Sequence, residues 1–195
     1  MTTSSRIVLA SSSPYRKALI ARLGLECRTA APDIDERALP AEAPEATALR
    51  LAQGKARKIA EREPAALIIG SDQVAVLGDQ LIGKPGSHAA AGLQLQAMSG
   101  KTVVFHTALC LLNAATNAVY LANVPTSVRF RKLDAAQIER YLQLEQPYDC
   151  AGSAKIEALG ITLVEQVESD DPTALIGLPL ITLVTMLQKE GIHIP

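Results

Sequence analysis

The chain has 195 residues, 48% of them hydrophobic and 20% charged, and its 19 basic and 20 acidic side chains leave a formal net charge of −1. That length and apolar content suit a folded protein with one sizeable core, in one lobe or two, and are too small for two typical domains. The charge balance excludes a broad basic field for duplex nucleic acid, and it excludes an acidic disordered tail. One arginine and a four-residue apolar run precede the serines of residues 11–13, so no secretory leader is expected. Residues 103–112 form the longest apolar stretch, which His106 interrupts and which is too short to span a bilayer, so no membrane partner is expected. Cys27, Cys110 and Cys150 are far apart and odd in number, a pattern of reduced thiols in a cytoplasmic protein. His88, His106 and His193 lack zinc-site spacing, so any metal would be held by carboxylates, which points to Mg²⁺ or Mn²⁺.

In chain order, Ile7–Ala10 reads as a short strand, followed by Ser11-Ser12-Ser13-Pro14 and an apolar helical pattern at Ala18, Leu19 and Leu23. Ser13 is placed to cap that helix, Pro14 to begin it and Gly24 to end it. Such a strand–loop–helix presents free N–H groups, hydroxyls, Arg16 and Lys17 at its mouth, the chemistry of a phosphate site, although many serine–proline caps hold no ligand. A strand over 25–30 leads to an acidic loop with Asp33, Asp35 and Glu36, which reads either as a solvated turn or as a support for hydrated Mg²⁺.

A helix is expected over 46–62, with Gly54 beside Lys55 in its interior; glycine there costs about 1 kcal/mol against alanine and marks a close neighbour or ligand. Residues 66–77 read as a strand through Ser71-Asp72-Gln73, turning at Gly78-Asp79 into Leu81-Ile82. Asp72 within so apolar a run reads as a strand-end turn, a general base or a metal ligand, because an unpaired buried carboxylate is costly. Lys84, between Gly83 and Pro85, suits a phosphate contact or simple solvation.

Ser87 caps a helix to Met98; strands follow over 102–112 and 119–131, with alternation at Val128-Arg129-Phe130-Arg131 and Pro125 at a bulge or edge. Asp134 caps a helix to Leu144, and the small-residue loop that follows presents Lys155 and Glu157. A strand over 161–167 and helices over 172–177 and 179–190 complete the chain, with Asp171 and Thr173 read as part of a capped helix start. Hairpins interleaved with helices imply a mixed α/β domain around a curved sheet. No Walker loop, dinucleotide fingerprint or nucleophile elbow is present.

Taken together, Leu9-Ala10-Ser11-Ser12-Ser13-Pro14-Tyr15-Arg16, Asp33-Ile34-Asp35-Glu36, Ala52-Gln53-Gly54-Lys55-Ala56, Ser71-Asp72-Gln73, Gly83-Lys84-Pro85, Met98-Ser99-Gly100-Lys101 and Gly177-Leu178-Pro179 resemble the Maf family of nucleoside triphosphate pyrophosphatases. The resemblance covers nearly the whole chain. It implies a single Maf-like domain over 1–195, with a mixed central sheet flanked by helices and two lobes around an active-site cleft.

Within that family, Tyr15 after Ser-Pro in place of a common arginine, and the loop from Asp149 to Glu157, look like the branch that hydrolyses 7-methyl-GTP rather than dTTP or UTP. The resemblance implies Asp72, Lys84, Lys55 and Arg16 as catalytic residues, with Asp72 as base. It implies Ser11, Ser13, Tyr15, Gln73 and Glu157 as substrate contacts, and Glu36 with Asp72 as ligands of Mg²⁺ or Mn²⁺. N7-methylation makes the base cationic, which suits the face of Tyr15 and the carboxylate of Glu157. A cytoplasmic homodimer that clears modified nucleotides is the implied setting. The alternatives are a Maf pyrophosphatase for dTTP, UTP or another modified nucleotide, and a non-hydrolysing nucleotide sensor of cell division.

Overall fold

A computed structural model describes residues 6–194. Residues 1–5, on which the expectation of no leader partly rests, lie outside the described residues. The chain divides into two compact units, one within Met1–Asp72, Thr107–Val124 and Asp171–Pro195, the other formed by Gln73–His106 and Pro125–Asp170.

In the first unit, β1 (Ile7–Ala10) pairs in parallel with β2 (Cys27–Ala30) and with the start of β3 (Leu67–Leu77), Ile7 lying opposite Cys27 and Leu67. Parallel neighbours need a crossover, and α1 (Pro14–Ala21) and α2 (Pro44–Ala60) provide the two. Strand side chains alternate between faces. On one face Leu9, Ile69 and Leu111 join Leu19 and Ile20 of α1 and Leu183 and Leu187 of α5 (Leu180–Lys189) in a single buried cluster. On the other face β3 touches α2 so closely that a Cβ on Gly70 would stand 2.1 Å from the Ala52 carbonyl oxygen. Gly54 is less constrained: a Cβ there would meet only the Ile34 side chain, at 3.5 Å.

The second unit takes the rest of β3, β4 (Gln80–Ile82) and α3 (His88–Met98). It also takes the start of β5 (Thr102–Asn113), the end of β6 (Ala118–Phe130), α4 (Ala135–Glu145) and β7 (Val164–Ser169). β3 and β4 form the expected antiparallel hairpin, Leu77 opposite Gln80, with Gly78 at φ +59° in the turn. The caps at Ser13, Ser87 and Asp134 each accept a backbone N–H from three residues on, as read from the sequence. The sheet has seven strands in the order β2-β1-β3-β5-β6-β7, with β4 on β3, and it mixes parallel and antiparallel pairs.

Three local readings need correction. The strand expected over 161–167 begins at Val164, because residues Leu159–Leu163 turn as a 3-10 helix. That turn carries Gly160 against the Lys155 backbone, where a Cβ would stand 2.5 Å from the carbonyl oxygen. The helix expected over 172–177 is a single 3-10 turn, Ala174–Ile176. Of the bulge or edge expected at Pro125, only the bulge is set aside: Pro125 lies just before the β6–β7 ladder, which opens at Thr126 and Ser169, and the irregularity falls at Arg129/Phe130.

Candidate active site

The loop between β1 and α1 folds on its own hydroxyls. Ser11 Oγ accepts the Ser13 N–H at 3.1 Å, Ser13 Oγ accepts the Arg16 N–H at 3.4 Å, and the Ser11 N–H donates to Leu9 O at 2.9 Å. The free amides expected of Ser11 and Ser13 are therefore already engaged, and what these residues present to a ligand is their hydroxyls. Tyr15 is half-buried on the first turn of α1. Arg16 Nε donates to the Gly177 carbonyl at 2.8 Å, and the buried Ser71 hydroxyl donates to the same oxygen at 2.8 Å. Gly177 has φ +114°, a conformation that favours glycine, and its carbonyl oxygen meets the two donors with its two lone pairs.

α2 buries Ala48, Leu51, Ala52, Ala56 and Ile59 at helical spacing, and Lys55 falls on that same stripe, 5% exposed. Its ammonium lies 2.6 Å from Asp72 Oδ1 and 2.9 Å from Glu36 Oε1. Asp72, 7% exposed on β3, has its pKa raised by burial; Lys55 and then Arg16 oppose that shift, and Glu36 adds to it. Burial likewise lowers the Arg16 pKa, and Asp72 and Glu36 push it back up. The structure thus gathers Arg16, Glu36, Lys55 and Asp72 into one cluster of two cations and two carboxylates. Within it only Lys55 and Asp72 form a buried pair, and removing one member of such a pair costs about 3–5 kcal/mol.

Of the three acidic loop residues, only Glu36 turns to the lysine. Asp35 pairs with Arg37, which holds its pKa down at about 2, and Asp33 is exposed. The sequence reading missed what fixes this loop. Arg50 of α2 grips Glu42 with two bonds of 2.6 and 2.7 Å and donates to the Arg37 carbonyl at 3.0 Å, next to Glu36. Glu42 also accepts from Leu39 N–H and from the Thr47 hydroxyl. The signal was a carboxylate just ahead of a helix and an arginine two turns inside it.

Also missed was Asp171, 1% exposed, whose carboxylate accepts Thr173 N–H at 2.9 Å and Ile181 N–H at 2.7 Å. The Thr173 hydroxyl accepts Leu180 N–H at 2.8 Å. Together they cap α5 from a distance and frame the turn that ends at Gly177, so this acidic segment serves a later helix than the one expected.

In the second unit, Gln73 is half-buried directly after Asp72, and Lys84 is exposed in a loop tied down on both sides. Gly83 O accepts from Gln94 at 3.1 Å, and Gly86 N–H donates to Tyr148 O at 3.0 Å. Glu157 is exposed, whereas Lys155 is committed to Glu145 at 3.2 Å and its N–H to the Tyr141 hydroxyl at 3.1 Å.

Among the described residues no three His, Cys, Asp or Glu side chains converge as a ready-made metal cage. Glu36 and Asp72, both within reach of one ammonium, are the donor set that suits Mg²⁺ or Mn²⁺, ions commonly held by one or two carboxylates together with substrate phosphate and water.

The chain matches the family described as Maf-like protein over residues 6–190. It is 57% identical over 189 residues to a protein of Cupriavidus metallidurans named 7-methyl-GTP pyrophosphatase, covering 97% of this chain and 95% of the relative. Proteins of the same name from Aromatoleum aromaticum (56% identical, 98% of each chain) and Cupriavidus pinatubonensis (58% identical, 95% of this chain and 94% of the relative) are similar over nearly their whole length. No helix among the described residues is long and apolar enough to cross a membrane.

Proposed function

The chain belongs to the Maf family, and from that membership we propose that it hydrolyses 7-methyl-GTP to 7-methyl-GMP and pyrophosphate. The observation that carries the chemistry is the cluster of Lys55, Asp72, Glu36 and Arg16. Water attacks the α-phosphorus, the bond to the bridging oxygen breaks, and pyrophosphate leaves with the electron pair. Asp72 takes the proton from the water; burial has raised its pKa, which makes it a stronger base than an exposed carboxylate.

Arg16, Lys55 and Lys84 hold the phosphates and offset the negative charge that develops on them. The hydroxyls of Ser11 and Ser13 donate to a phosphate oxygen. Glu36 and Asp72 would hold Mg²⁺ or Mn²⁺, whose chemistry when bound is to neutralise phosphate charge and to acidify a coordinated water.

For the base, Tyr15 offers an aromatic face to the methylated, cationic purine. Glu157 accepts from guanine N1–H and the N2 amine, and Gln73 completes the contacts. The same reading carries a homodimer at work in the cytoplasm on small-molecule nucleotides.

The deciding experiment is pyrophosphate release with Mg²⁺ from 7-methyl-GTP, GTP, dTTP, UTP and CTP. Preference for 7-methyl-GTP over GTP is expected, and Glu157→Gln should lower that preference by about tenfold, the worth of one good hydrogen bond to a charged group. Turnover of dTTP or UTP alone would discard the base pocket, and an unchanged preference in Glu157→Gln would discard the role of that residue.

A further inference from the structure

We propose that Lys55 is a placeholder for the divalent cation, so that metal enters this site only together with a nucleotide whose phosphates draw the lysine away. The inference rests on the reading of the site as a metal-assisted pyrophosphatase. Its ground is the different anchoring of the two cations. Arg16 is tied at Nε to the Gly177 carbonyl, which is neither of the two carboxylates assigned to the metal. Lys55 is held by Asp72 and Glu36, the same two carboxylates a metal would need.

An ammonium and a divalent cation drawn to the same two carboxylates repel each other at contact distance, so each weakens the hold of the other. Lysine is suited to give way, being a point charge on a flexible stem, whereas a guanidinium makes a rigid fork. The charge balance agrees. Arg16 and Lys55 already balance Asp72 and Glu36, so a bare divalent ion would leave a surplus of positive charge beside the buried Asp72. A metal–triphosphate complex is net anionic and brings its own partners for Lys55. Without Lys55, the ligand-free protein would hold a buried Asp72 carboxylate beside Glu36 with one fewer counter-charge.

The test is Mn²⁺ binding to nucleotide-free protein, followed by the electron paramagnetic resonance of unbound Mn²⁺. Lys55→Gln should bind at least about tenfold more tightly than the unaltered chain, because a competing charge at contact distance is gone. Lys58→Gln, which alters a half-buried lysine of the same helix paired with Glu61, should match the unaltered chain. A folded Lys55→Gln protein that binds Mn²⁺ no more tightly overturns the proposal.

Should Lys55→Gln fail to fold, the unaltered chain decides through the ¹³Cε resonance of Lys55. It should shift with a non-hydrolysable α,β-methylene analogue of 7-methyl-GTP, and Mn²⁺ should broaden it only when the analogue is present. Broadening by Mn²⁺ alone overturns the placeholder. Turnover of 7-methyl-GTP in the same preparation separates that failure from failure of the pyrophosphatase reading.

Discussion

Asp72 shows how much a single residue can announce from sequence alone. A carboxylate inside an apolar strand must find a partner, and it does, in Lys55. Its partner was harder to read: Gly54 drew attention on α2, yet the informative fact was that Lys55 completes the buried stripe of Leu51, Ala52, Ala56 and Ile59. Burial raises the Asp72 pKa above its ordinary 3.8, so the ionised form that accepts a proton is reached only at higher pH. The acid limb of kcat/KM should therefore rise at a pH above the usual carboxylate range. Asp72→Asn should lower kcat by at least about 100-fold, the usual worth of a positioned base. Circular dichroism should stay native, since the asparagine oxygen can still accept from Lys55. Near-normal turnover in that variant would remove Asp72 from the mechanism.

The elements with local punctuation were legible: Ser13, Ser87 and Asp134 cap the helices they were read to cap, and Gly78-Asp79 turns the hairpin. The bounds of β7 were not, because the strand is exposed along nearly its whole length and has no apolar rhythm, while the apolar run that drew the eye lies in the 3-10 turn before it. The long loop between β2 and α2 has no regular structure to read, and Arg50 with Glu42 gives it its shape. That clasp titrates. Arg50 holds the Glu42 pKa down at about 2 against an ordinary 4.5, so it stabilises the fold fully above pH 4.5 and fades as pH falls toward 2. Glu42→Gln should accordingly have a lower Tm than the unaltered chain at pH 7, with the gap closing between pH 4.5 and 2. A gap that stays constant over that range would show that the clasp does not hold the loop.

For the whole molecule, the limit of sequence reading is distance along the chain. No spacing rule joins Arg16, Glu36, Lys55 and Asp72; a resemblance brought them together, and in the fold of the first unit Lys55 touches both carboxylates while Arg16 acts on them through its charge. Nor did any rule connect them to Gly177, more than a hundred residues on. Removing residues 171–195 should abolish both turnover and the cooperative thermal transition, because α5 supplies Leu183 and Leu187 to the cluster around β1 and β3. A truncated chain that still melted cooperatively would show that unit to be independent of its last helix. The two hydrogen bonds to the Gly177 carbonyl have a consequence for synthesis. Arg16, Glu36, Lys55 and Asp72 all precede Gly177, so a nascent chain halted before that glycine would hold the four charges without the backbone oxygen that Arg16 and Ser71 share.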